Sequence, residues 1–161
     1  MTREEKLKLN RERQKAVREA WQRERNLVEQ GKGTVDWSVS QQKEIMKAGR
    51  VKGYEGQHMK SCSKYPEYAG TVDNIQLLSH EDHLAAHKNG NHKGYISPTN
   101  GYYDSKSGQM TSFGSKAPQA PKVIELSRKT HKSSEEVKTN NMAEGSMDRK
   151  ELKLKAGGRY Q

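Results

Sequence analysis

From Thr2 to Gln30 no glycine or proline interrupts the chain, and Val17, Ala20, Trp21 and Val28 recur close to a helical period. Thr2 followed by Glu5 has the spacing of a capping box, and Gly31-Lys32-Gly33 closes the run. The pattern predicts a charged helix over 2–30 whose thin apolar stripe needs a partner surface. Trp37 opens a second segment. Ser38-Val39-Ser40-Gln41 is another capping box, predicting a short helix to Ala48, stopped by Gly49, with Ile45 and Met46 facing inward. Gly53-Tyr54-Glu55-Gly56-Gln57-His58 reads as a short strand running into an irregular stretch over 60–71, with Pro66 and Gly70. Asn74 to Leu78 alternates as a strand does. Ser79 then caps a helix with Glu81 and Asp82 in its first turn, ending near Asn89-Gly90. Beyond Asn91 the periodicity weakens. Tyr95, Ile96, Pro98, Tyr102, Tyr103 and Phe113 are candidates to cover one side of the core, and after Ser115 no folded pattern is evident.

These elements predict an α+β chain in three parts: a charged N-terminal helix over 1–33, a folded domain over 34–114, and a basic, mostly disordered tail over 115–161. Composition points the same way. Only 30% of the 161 residues are hydrophobic, against roughly 45–50% in ordinary globular domains, so the core is expected to be small. The net charge of +10 favours a polyanionic partner, nucleic acid first. It sits mostly on the flanks: +3 over the first 30 residues, +5 over 115–161 and only +2 between them. The flanks therefore read as electrostatic arms, not as a catalytic surface. The single cysteine, Cys62, excludes an intrachain disulfide. With no apolar leader behind Met1 and no apolar run long enough to span a bilayer, no membrane partner is expected. The expected location is the cytoplasm, or a target cell's cytoplasm reached by a specialised secretion route.

His83 and His87 lie four residues apart on the last predicted helix, so they share a face and can bind one metal ion. Alone, such a pair is more often a solvated or structural one. Cys62 could join it in a structural zinc site, but that set is one ligand short. The context changes the weighting. Two strands, the first ending in His58 and the second beginning with Asn74, would form a hairpin with the helix packed across it. His58, His83 and His87 then converge. His80 is expected to face away from His83, on the surface or substrate side. Lys60, His80, His92 and Lys93 are the candidates for contact with nucleic acid, and His131 lies in the tail with no expected role.

Gly53 to His58, Pro66 to Gly70, Asp73-Asn74-Ile75 and His83 to His87 together resemble the HNH/endonuclease VII superfamily, in particular its toxin group with a Gly-His-His signature. The resemblance covers about 35–104, leaving out the first 30 residues and the last 45 or so. It implies a small ββα-metal (His-Me finger) nuclease core and a metal-dependent endonuclease acting on DNA, with RNA as the alternative polyanion. It also implies an antibacterial toxin with a cognate immunity protein. His58 matches the general base, His83 and His87 match metal ligands, and Asn74 matches the residue that ties the hairpin loop. Gln57 stands where the signature has its first histidine, often a third metal ligand. An amide oxygen in its place suits Mg²⁺ better than Zn²⁺, Mn²⁺ or Ni²⁺, with water or Glu55 completing the shell. Two other readings fit the same residues: a non-catalytic nucleic-acid-binding protein with a metal-stabilised fold, and a phage or plasmid HNH enzyme for DNA processing.

Overall fold

The computed structural model describes residues 1–88 and 98–130. His92, Lys93, Tyr95, Ile96 and His131 lie outside the described residues, as does the tail after 130. In chain order the elements are α1 (Arg3–Glu29), β1 (Lys32–Gly33), α2 (Val39–Ala48), β2 (Tyr54–His58), β3 (Ile75–Ser79), α3 (His80–Lys88), β4 (Gly101–Asp104), β5 (Gln109–Ser112) and β6 (Ile124–Glu125). The arrangement is α+β, consistent with a His-Me finger core. The sheets are three antiparallel pairs, β1 with β6, β2 with β3 and β4 with β5.

Local chemistry sets the helix ends. Thr2 Oγ1 accepts the Glu5 N–H at 3.1 Å. Ser38 and Gln41 form the reciprocal capping box that starts α2. Gly49 ends α2 at φ +82°, a left-handed conformation that glycine adopts without steric cost. Asp82 donates its N–H to Ser79 Oγ at the start of α3.

The long helix is not an arm. Ala16, Ala20, Trp21 and Val28 of α1 join Trp37, Ile45, Val51, Ile75 and Leu77 in one buried cluster. Trp37 lies edge-on to Tyr54, with ring centroids 4.8 Å apart. Glu24, only 2% exposed, accepts from Thr34 N, Thr34 Oγ1 and Trp37 Nε1 at 2.7–2.8 Å. A buried carboxylate with three donors is satisfied, and here it fastens the 31–37 turn to α1. Gly56 lets α1 lie directly on β2: a Cβ there would come within 2.9 Å of both Val17 methyls.

β3 does not alternate between core and solvent as expected. Ile75, Gln76, Leu77 and Leu78 are all buried. Ile75 and Leu77 face the α1 cluster, while Leu78 packs with Ala86 and Tyr103 in a second one. A strand covered on both sides loses its polar face. Gln76 is satisfied by the backbone of β4: its amide donates to Tyr103 O at 2.6 Å and its oxygen accepts Tyr103 N–H at 3.1 Å.

The tail expected to be disordered from 115 is placed as far as Thr130. β6 pairs with β1, Leu126 is 3% exposed in the main cluster, and Leu126 N–H bonds to Gly31 O. The Gln42 side chain bonds to Arg128 O and to Thr130 N and Oγ1, and Ser127 N–H donates to Asp36 Oδ1 at 2.9 Å. One leucine and a set of remote polar partners hold the segment, and neither leaves a periodic trace in its own sequence.

Candidate active site

β2 ends in His58, half-buried beside α1. Its Nε2 lies 2.9 Å from the Ala69 carbonyl oxygen. A carbonyl can only accept, so the neutral ring carries its proton on Nε2 and leaves the Nδ1 lone pair to take another. Burial pushes the His58 pKa below its ordinary value of 6.5. The Ala69 carbonyl pulls it up, and the charges of Arg13 and His83 push it further down. The ring is thus kept neutral and basic.

Asn74, 0% exposed, stands behind this imidazole. Its Oδ1 accepts Lys60 N–H at 2.8 Å. Its Nδ2 donates to Lys60 O at 3.0 Å and to Tyr68 O at 3.3 Å. One side chain therefore clips the loop that leaves β2 to the turn that presents Ala69.

α3 brings His83 and His87 to the same cleft. Their Nε2 atoms are 3.2 Å apart. His83 Nδ1 is 2.6 Å from Glu55 Oε1, an arrangement in which Nδ1–H donates to the carboxylate and Nε2 keeps its lone pair. That hydrogen bond is the first cause of the lowered Glu55 pKa. A carboxylate behind an imidazole is the usual support for a metal-ligating histidine. At 3.2 Å the two rings share an N–H···N hydrogen bond; two nitrogens bound to one divalent ion at ~2.0–2.1 Å would lie roughly 3.0–3.4 Å apart, so a cation could replace that proton without moving the rings. Gln57 is 2% exposed and its Nε2 donates to Thr99 Oγ1 at 3.1 Å. The atom it has left for a cation is its carbonyl oxygen.

Gln57, His58, His83 and His87 line one cleft of about 470 Å³, together with Leu9, Arg13, Gly56, Ser61, Cys62, Ser63 and Pro98. Among the described residues no group of three or more His, Cys, Asp or Glu is placed to hold a metal. Cys62 therefore does not complete a zinc site with the two histidines. Glu55 does not complete the shell either, since its oxygens meet His80 and His83 from behind.

Two further expectations are corrected. Lys60 is 1% exposed, its Nζ donates to Gly114 O at 3.0 Å and lies 4.4 Å from the Tyr65 ring centroid. It serves the interior and is not available to a phosphate. His80 does not face away from His83: both rings reach Glu55, His80 Nδ1 at 3.1 Å. Residues three apart on a helix are neighbours.

Sequence reasoning missed Arg13. It lies on the charged helix, with no signal of its own in the sequence, and the packing of α1 on the hairpin, with Val17 against Gly56, brings it to the cleft.

The site is thus a helix-supported β-hairpin carrying one imidazole, followed by a helix that carries a pair of them. Residues 3–79 match the family model described as GHH signature containing HNH/Endo VII superfamily nuclease toxin, so just under half of the chain is similar to this family. The match begins in α1, which the resemblance in the sequence did not reach, and ends at Ser79, before the histidine pair. Among curated proteins, Teneurin-3 of Mus musculus is 38% identical over 71 residues, 44% of this chain and 3% of its own. Teneurin-4 of Homo sapiens is 36% identical over 67 residues, 41% of this chain and 2% of its own. Teneurin-m of Drosophila melanogaster is 36% identical over 62 residues, 38% of this chain and 2% of its own. The likeness is thus to one short segment of far longer proteins. No helix among the described residues is long and apolar enough to cross a membrane.

Proposed function

We propose that this chain is an endonuclease that hydrolyses phosphodiester bonds of DNA with the help of one divalent cation, and that it acts as an antibacterial toxin. The observation that supports this most is the shared cleft: an imidazole whose Nδ1 can accept a proton opposite two imidazole nitrogens 3.2 Å apart. In this reading His58 takes the proton of the attacking water on Nδ1, while the bond from Nε2 to Ala69 stops the ring from turning. Asn74 positions that carbonyl and the loop around it. His83 and His87 hold the cation, with the Gln57 carbonyl as a weaker third donor and Glu55 orienting His83. A bound divalent cation would neutralise charge on the scissile phosphate and the leaving oxygen. Mg²⁺ is the proposed ion, and imidazole donors make Mn²⁺, Ni²⁺ and Zn²⁺ tighter binders at the same place. The likeness of residues 3–79 to a nuclease-toxin family supports DNA as target and a cognate immunity protein as partner.

The sparse donor set favours a second reading, a nucleic-acid-binding protein without catalysis. Incubation of the purified protein with supercoiled plasmid separates them. Nicking with Mg²⁺ that stops with EDTA is the expected result. Intact plasmid in Mg²⁺, Mn²⁺ and Ni²⁺, with DNA still retarded on a gel, would leave only the second reading.

A further inference from the structure

We propose that Arg13 grips a phosphate of the substrate at this cleft, which makes α1 part of the substrate-binding surface. The inference rests on the nuclease reading of the same site. Leu9 and Arg13, one helical turn apart, are the two residues by which α1 lines the cleft. Arg13 is the one lysine or arginine among the described lining residues, and Lys60, the lysine nearest in sequence to His58, is spent on Gly114 and Tyr65. Among the described lining residues, a phosphodiester entering the cleft meets one permanent cation.

Two other cations of α1 are committed to carboxylates. Arg23 is paired with Asp73 at 2.8 Å and Lys15 with Glu19 at 3.7 Å. No carboxylate among the described residues pairs with Arg13. Arg13 and Cys62 both line the cleft, and the guanidinium offsets part of the rise that burial causes in the Cys62 pKa; a thiol is a weak acceptor that a phosphate oxygen would displace. Arg13 and His58 line the same cleft, and the guanidinium's charge adds to the lowering of the His58 pKa. Planar, bidentate donors match two phosphate oxygens where an ammonium offers only a point charge.

The test compares Arg13→Ala and Arg13→Lys with Arg11→Ala, which removes the same charge from the same helix away from the cleft. Short duplex DNA is cleaved under single-turnover conditions with Mg²⁺, and binding is measured in EDTA across a salt series. Arg13→Ala should lose at least about tenfold in cleavage, with Arg13→Lys between it and wild type and Arg11→Ala within about twofold. The log–log salt slope of binding should flatten by roughly 0.9 for Arg13→Ala, the value for one lost phosphate contact. Mn²⁺ affinity and the melting temperature should stay at wild-type values in all three. Equal cleavage and equal salt slopes for Arg13→Ala and Arg11→Ala would overturn the proposal. If the wild-type protein cleaves nothing, the nuclease reading falls, and the salt slopes in EDTA still decide whether Arg13 contacts phosphate.

Discussion

Which nitrogen of His58 bears the proton decides what that residue can do, and a backbone carbonyl decides it. The Ala69 oxygen claims Nε2, so Nδ1 is the atom left for chemistry. His58→Ala should lower cleavage by ~10²–10⁴-fold with an unchanged circular dichroism spectrum, and wild-type nicking by that variant would remove His58 from the mechanism. The pH dependence carries a sign. In the proposed mechanism the neutral ring is the active form, and burial lowers its pKa below 6.5, so the acid limb of the rate profile should have its midpoint below 6.5. The same shift makes the unfolded chain bind this proton at a higher pH than the folded one. The stability contributed by His58 is therefore complete above 6.5 and lost as pH falls from there toward the folded pKa. An acid limb centred above 6.5 would contradict the assignment. At this scale Gly56, Gln57, His58, Asn74, His83 and His87 could be read from the chain as one motif, because each lies in a short segment whose secondary structure is locally determined. Lys60 could not be read, since one step past His58 it turns inward to partners at 65 and 114.

The contact between α1 and β2 sets the geometry of the cleft. It depends on Gly56 having no side chain where the Val17 methyls approach. Gly56→Ala should destabilise the protein by ~1–3 kcal/mol through overpacking, and adding Val17→Ala should recover most of the loss by opening room for the new methyl. A double-mutant cycle by urea unfolding checks this; simple additivity of the two changes would mean that the helix does not lie on the strand there. Periodicity identified α1 as a helix but not as a core element. Its four buried apolar residues are few for its length, and the rest of its fastening is polar: Glu24 to Thr34 and Trp37, and Arg23 to Asp73.

The whole molecule closes on its own C-terminal side. Residues 124–130 return to β1 and α2, and Leu126 enters the same cluster as Trp37 and Ile45. Leu126→Ala should cost ~2–5 kcal/mol, the usual range for a buried leucine. Removal of 116–161 should lower the melting temperature at least as much, because it also takes away β6 and the bonds to Asp36 and Gln42. Differential scanning calorimetry of the two variants tests this. A shortened protein that melts with the full chain would show that the segment after 115 contributes nothing to the fold.

Caps, glycine stops and the spacing of apolar residues marked out α1, α2, β2, β3 and α3, because each of those signals acts within a few residues of the chain. The candidate site could be read for the same reason: Gly56-Gln57-His58, Asn74 and the His83/His87 pair are local patterns. Tertiary structure alone decided the rest. Val17 meets Gly56, Arg13 meets Cys62, Gln42 meets Thr130 and Gly31 meets Leu126. These contacts join residues far apart in the chain, and nothing in either partner's own neighbourhood states who the other will be. Such contacts turned a charged helix into one wall of the cleft, turned Lys60 away from it, and folded back a stretch of polar chain that holds a single buried leucine.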